Sequence, residues 1–340
     1  MAETKLNNKS FMQKILAYAK ANPIVVGLAV VSIVVGCMVE NFFSWGNLGN
    51  LISNTAIRFV IALGVSGCLI TKGTDLSAGR QVGLAACLSG ILIQRADYTG
   101  KLYKNLPEMN MFVVFIIVVA IGCAIGIING LIISRLKVPP FIATLGTQTI
   151  IYGFCLVVTD AQPIGGFQSV YTKTITGRIG SITGFYLPYL LFVAVAFGLF
   201  FWFLYNKTCH GKYMYAIGGN EVAAEVSGVN TKNTTLKIYM TAGIMYAIAG
   251  YLLAAKSGGA SASMGNGYEL EAIAGCTIGG VSTTGGIGTV SGVLIGVLVF
   301  ELLKIVLQFL GVNPYYNYVV QGLVIVVAVA LDIRKYIAKK

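Results

Sequence analysis

The chain has 340 residues, with 24 Lys and Arg against 12 Asp and Glu, and a formal net charge of +12. Charged residues make up only 11% of it, where a soluble domain carries roughly 25%, while hydrophobic residues make up 56%, glycines number 42 and mean hydropathy is +0.80. So few polar side chains exclude a soluble enzyme, a disordered chain and a disulfide-built secreted domain. Apolar runs without alternation exclude a transmembrane β-barrel, which leaves an all-α, polytopic transmembrane helical bundle.

Residues 1–22 form a polar tail in which Lys5, Lys9, Lys14 and Lys20 precede the first apolar run. No small-residue cleavage site follows that run, so a retained helix is expected rather than a signal peptide. A transmembrane domain over 23–333 then holds about ten predicted spans. They are Ile24–Val39, Leu48–Thr71, Ser77–Gln94, Met111–Ser134, Phe141–Thr159, Tyr186–Tyr205, Thr234–Ala255, the short Leu270–Val281, Val290–Leu310 and Tyr315–Leu331. A polar loop, 206–233, separates the sixth from the seventh, and a basic tail, 334–340, closes the chain. Orientation follows from Lys and Arg near the span ends. Arg58 and Lys304 fall within spans, and an inside N-terminus puts Arg95, Lys101, Lys104, Lys173, Arg178 and Lys256 outside. The remaining sixteen of the 24 then lie inside, which places both termini in the cytoplasm. The positive charge therefore marks topology and is not a nucleic-acid surface, which would need a basic patch with interleaved aromatics.

Two segments repeat. Gly67-Cys68 lies 208 positions before Gly275-Cys276, and Gly79 and Gly83 lie 209 before Gly288 and Gly292. Each copy is an apolar run, a Gly/Thr/Ser-rich break and a helix with small residues four apart. The span count makes the copies parallel. Short or glycine-interrupted apolar segments at matching places in two halves point to a transport pathway. In the first break Asp75 or Ser77 is placed to cap the third helix.

Polar residues inside apolar spans are costly in lipid and face a bundle interior or a watery cavity. Here they are Gln81, Asn129, Thr144, Thr147, Gln148 and Thr149, hydroxyls and amides of the kind a neutral polyol would meet, or else interhelical hydrogen-bonding groups. Gly122, Gly126 and Gly130 recur every four residues, a pattern for close helix approach. Glu301 and Lys304, three apart, are expected to pair on one helix face. The seven cysteines form no C-x-x-C and read as packing residues, and Cys209-His210 lacks the further ligands a metal site needs. No P-loop, catalytic triad or paired carboxylates occur, so no catalytic role is expected. In the polar loop, Asn220 is a plausible N-cap for a short helix through Val226, with Glu221 in its first turn and Gly228 as its stop.

The stretches GTDLSAGRQVGLAA (Gly73–Ala86), NGLIISRLKVPPFIATLGTQTIIYG (Asn129–Gly153), AIGGNEVAAEVSGVN (Ala216–Asn230), YELEAIAGCTIGGVSTTGGIGTVSG (Tyr268–Gly292) and GVNPYYNYVVQGLVIVVAVALD (Gly311–Asp332) occur in this order. The chain so described resembles, over almost its whole length, the permease subunits of monosaccharide ABC importers, the group that includes the ribose, xylose and galactose systems. The Asp-Leu-Ser-Ala-Gly-Arg-Gln and Tyr-Glu-Leu-Glu-Ala-Ile-Ala runs are most similar to the galactose and methyl-galactoside branch. The resemblance implies the ABC importer permease fold in a bacterial cytoplasmic (inner) membrane. It implies two permease chains around one pathway, an ABC ATPase subunit that binds ATP and Mg, and an extracytoplasmic sugar-binding protein. No cofactor or metal is expected on this chain itself. The resemblance implies that Asn220–Gly228 is the coupling helix, with Gly218, Gly219, Asn220, Ala223, Ala224, Glu225, Ser227 and Gly228 as the candidate residues of the ATPase contact. The implied pathway runs past the two breaks, with Asp75, Ser77, Gln81, Asn129, Thr144, Thr147, Gln148 and Ser282 as its candidate residues. Three alternatives remain open at this point: a permease for ribose or another monosaccharide, a stand-alone ion-coupled transporter with Glu301 as its coupling acid, and a scaffold subunit without a path.

Overall fold

The computed structural model describes residues 23–180, 186–313 and 315–337, so the tail over 1–22 and residues 338–340 lie outside the described residues. Thirteen helices stand among them: α1 (Pro23–Met38), α2 (Trp45–Ile70), α3 (Ala78–Ile93), α4 (Met111–Ser134), α5 (Pro140–Thr159), α6 (Ser169–Thr176), α7 (Tyr189–Lys207), α8 (Cys209–Gly219), α9 (Glu221–Val226), α10 (Thr231–Ser257), α11 (Tyr268–Ile278), α12 (Val290–Phe309) and α13 (Tyr316–Ile337). The described strands, β1 (Arg178–Ile179) and β2 (Leu187–Pro188), make one antiparallel hairpin between α6 and α7.

All ten predicted spans coincide with helices to within a few residues, but ten full crossings overstates the number. Among the described residues, six helices are long and apolar enough to cross a membrane: α2, α4, α5, α7, α10 and α12. α3 and α11 have only 16 and 11 residues, and each adjoins a non-helical break. Helices α6 and α8 lie in segments where no helix was expected.

Burial sorts the bundle into centre and rim. In the most apolar stretch of α2 and α10, 72% and 83% of residues are buried, against 22% in α4 and α7. The rim helices present Phe112, Ile116, Phe192, Leu199 and Phe203 outward, as lipid-facing helices do. α10 is the hub and packs on α4, α3 and α2. Its closest neighbour is α4, as the glycine spacing predicted. A side chain at Gly122 would meet Gly243 and Ala247, at Gly126 the backbone of Tyr239 and Met240, and at Gly130 the backbone of Leu236.

The repeat is also structural. Gly73 N–H donates to Cys68 O (2.8 Å) and Val281 N–H to Cys276 O (2.9 Å), so both first helices end in the same five-residue closure. The fourth residue after each cysteine, Lys72 in one copy and Gly280 in the other, adopts positive φ (62° and 87°). α2 and α11 lie side by side and run the same way: Arg58 meets Glu271, Ala62 O accepts from Cys276 Sγ (3.4 Å), and Ile70 O accepts from Gly286 N–H (2.8 Å). Small residues bring α11 and α12 together, since a side chain at Gly279 would strike Gly292 and one at Gly296 would strike Gly275.

Candidate functional site

The first break, 71–77, is shaped by the α2 closure. From Gly73 the chain continues without regular structure, and the Thr144 hydroxyl of α5 holds it by accepting Leu76 N–H (3.1 Å) and donating to Pro140 O (2.8 Å). Asp75 Oδ1 then accepts both Ser77 N–H (2.9 Å) and Ser77 Oγ–H (2.6 Å). Ser77 Oγ in turn accepts from Gln81 Nε2 (2.8 Å) and from Asn129 Nδ2 on α4 (3.0 Å). None of these four side chains is more than 2% exposed. The carbonyl oxygens of Gln81 and Asn129 have no hydrogen-bond partner, and a buried unpaired acceptor costs about 1–3 kcal/mol.

Five of the eight expected pathway residues therefore form one cluster: Asp75, Ser77, Gln81, Asn129 and Thr144. Thr147 sits a turn away and bonds Thr144 O. Gln148 is half-buried outside the cluster, and Thr149 faces outward, bonded to Leu145 O of its own helix. Ser282 belongs to the second break, where its hydroxyl lies 2.8 Å from that of Thr284. The capping expectation needs correction. Ser77 occupies the N-cap position of α3 but makes no capping bond, because its hydroxyl already serves Asp75, Gln81 and Asn129, and Asp75 takes Ser77's own N–H.

The second break, 279–289, is joined to the last residue of α2, beside the first break, through the Gly286–Ile70 bond. The end of α8 closes on both. Tyr215 OH donates to Gly288 O (2.8 Å), Lys72 Nζ donates to Gly219 O (3.2 Å), and Gly218 lies against Ile70 O and Gly286. α9 follows at once. As expected, Asn220 Oδ1 accepts from Ala223 N–H (3.1 Å), Glu221 stands in the first turn, and Gly228 follows the helix at φ 87°. Two expected docking residues are set inside the chain: Gly218 is buried against Ile70 and Gly286, and Ala224 is buried on the inner face of α9. The outer face of α9 instead carries Ala223, Glu225 and Ser227 together with Val222 and Val226, 71% and 86% exposed. The two valines were not singled out from sequence, although their i, i+4 spacing on a short polar helix is the signal for an apolar docking stripe.

Glu301 and Lys304 do not pair with each other. Glu301 lies 3.1 Å from Arg58 Nε on α2, and Lys304 lies 2.5 Å from Glu271 on α11, which Arg58 also reaches at 2.8 Å. Two acids and two bases from three helices thus form a neutral network, in which Glu301 is buried and the other three are partly buried. Glu301 is not the isolated acid that ion coupling would require. Outside the spans, partial burial and the neighbouring Lys237 ammonium push the His210 imidazole below its usual value.

Sequence comparison adds independent findings. Residues 47–329 match the family model described as branched-chain amino acid transport system / permease component. The galactose/methyl galactoside import permease protein MglC of Escherichia coli K12 is 46% identical over 98% of this chain and 99% of its own. Its Haemophilus influenzae counterpart is also 46% identical, over 88% and 90%. The ribose import permease protein RbsC of Bacillus subtilis is 38% identical over 91% of each chain. No solved structure matches this chain.

Proposed function

The chain belongs to the family of transport-system permease components, and on that premise we propose that it is the membrane-spanning subunit of an ATP-driven importer for galactose, methyl galactoside or a related monosaccharide. The family description names branched-chain amino acids, but the relatives similar over nearly the full length are named for sugars. The hydroxyls and amides of Ser77, Gln81, Asn129 and Thr144 also suit a neutral polyol, and the one carboxyl among them, Asp75, is engaged by Ser77. The chain is a multi-pass inner-membrane protein without catalytic work of its own. Two copies enclose the path, an ABC ATPase with ATP and Mg binds α9 from the cytoplasm, and a sugar-binding protein delivers substrate from the other side. Both termini are cytoplasmic.

The observation that carries this reading is the seating of α9. A short helix with an exposed apolar stripe follows directly on the end of α8, which closes on both breaks. Displacing it moves Gly218 and Gly219 against Ile70 and Gly286, and so both breaks together. The free energy for that displacement comes from the nucleotide state of the partner, whose contacts with α9 differ before and after hydrolysis. The path alternates as the Asp75–Ser77–Gln81–Asn129 cluster opens, and sugar hydroxyls supply the donors that Gln81 and Asn129 lack.

Ala223 is exposed on α9, so Ala223→Arg leaves the fold intact and obstructs docking of the ATPase partner. Losing about 1.4 kcal/mol of docking energy lowers partner affinity tenfold, so sugar uptake is expected to fall about that much at unchanged membrane abundance. Normal uptake by this variant contradicts the docking assignment.

A further inference from the structure

Beside the start of α9 lies a cavity of about 240 Å³ lined by three lysines, Lys72, Lys137 and Lys232. Glu221, the first residue of α9, is the acid among its lining residues, so three positive charges meet one negative charge. That acid is already engaged, 3.3 Å from Lys137 Nζ. Lys72 Nζ donates to the neutral Gly219 O (3.2 Å), and neither Lys72 nor Lys232 pairs with an acid among the described residues. The same wall includes the start of α10, at Thr231 and Lys232, and the start of α5, at Pro140. The positive ends of two helix dipoles therefore add to the field of the lysines.

Two of the lysines stand where the backbone disfavours them. Lys72 and Lys137 have φ of 62° and 57°, in the left-handed region that glycine or asparagine fills with less strain. In the second copy of the repeat Gly280 takes the position of Lys72. The turn itself therefore needs no side chain, and Lys72 is explained by what its ammonium meets. Apolar side chains adjoin the cations: Leu136 and Phe141, on either side of Lys137 and the two prolines, are 71% and 56% exposed, and Ile142 is 59% exposed. Basic pockets between spans at the membrane boundary are suited to phosphate-bearing headgroups. A phosphate also has enough oxygens to meet three separate ammonium groups at once, which a carboxylate with two does not. We infer that this cavity is a phosphate site formed by Lys72, Lys137 and Lys232, filled by the headgroup of an anionic phospholipid or by a soluble phosphate. The exposed Leu136, Phe141 and Ile142 give acyl chains a surface beside it. An anion on Lys137 competes with Glu221, so occupancy loosens the hold of the α4–α5 connection on α9. The inference goes beyond the transport reading and is independent of which solute the chain carries.

The test uses the whole importer, with its partner subunits, in nanodiscs of zwitterionic phosphatidylcholine to which phosphatidylglycerol or inorganic phosphate is added. Thr235 lines the cavity and is half-buried, so Thr235→Cys, in a background lacking the native cysteines, is labelled there with an uncharged maleimide. The anion that fills the site is expected to slow labelling by the factor one plus its concentration over its dissociation constant, about tenfold at nine times that constant. Slowing by phosphatidylglycerol alone assigns the site to a lipid headgroup, and slowing by inorganic phosphate assigns it to a soluble phosphate. A rate that neither addition changes overturns the inference, including the case in which a partner subunit already covers the cavity. Lys137→Asn combined with Lys232→Gln changes two exposed residues, and asparagine suits the left-handed backbone at 137. This variant is expected to lose most of the protection. Full protection in it means that the lysines are not the contacts and also overturns the inference.

Discussion

Arg58→Met destabilises the bundle by about 3–5 kcal/mol, the cost of leaving buried charge unpaired. Arg58 donates to Glu271 (2.8 Å) and lies 3.1 Å from Glu301, and Lys304 forms a further ion pair with Glu271. The substitution leaves a net negative charge between α2, α11 and α12, the helices that carry the repeat. Thermal unfolding of the detergent-purified protein is expected to drop by several degrees. Glu301→Gln added to Arg58→Met restores neutrality around the Glu271–Lys304 pair and is expected to recover most of the loss. If Arg58→Met unfolds at the wild-type temperature, or the double variant is worse than the single one, the network does not hold these helices.

Gly218→Ala and Gly219→Ala are expected to differ sharply although the residues are adjacent. A methyl group at Gly218 would run into Ile70 O and the Gly286 backbone, which have no side-chain freedom to yield, whereas one at Gly219 meets nothing within 4 Å. Overpacking of this kind costs about 1–3 kcal/mol, here applied at the one joint that α8 shares with both breaks. Transport by Gly218→Ala is expected to fall by about tenfold or more, as 1.4 kcal/mol implies, while Gly219→Ala transports normally. Equal activity in the two variants would remove the joint from the mechanism.

These two cases also mark where the sequence was informative. Periodic and local features could be read directly. The apolar runs located the helices, the Asn220 cap with Glu221 and Gly228 fixed α9, and the four-residue spacing of Gly122, Gly126 and Gly130 announced a close helix neighbour. Each of those signals lies within one element. Pairings between elements were not legible. Glu301 and Lys304 looked like an i, i+3 pair, but bases and acids on α2 and α11 stand closer in space, and the three-helix arrangement offers each a better partner than its own neighbour. Ser77 looked like a cap because its position is right, yet Asn129 from α4 and Gln81 compete for its hydroxyl. Gly218 looked like part of a docking surface because it borders α9, and only the packing of α8 against the two breaks turns it inward. The span count erred for a related reason: composition records apolar length and is silent on the depth at which a helix begins.

The central claim is that nucleotide energy, delivered through α9, drives sugar through this chain. The most direct measurement is uptake of labelled methyl galactoside by cells carrying the importer, with ATP depletion and collapse of the ion gradients applied separately. The account predicts that uptake stops on ATP depletion while gradients persist, and continues when the gradients are collapsed with ATP maintained. Uptake that survives ATP depletion and stops with the gradients would contradict it.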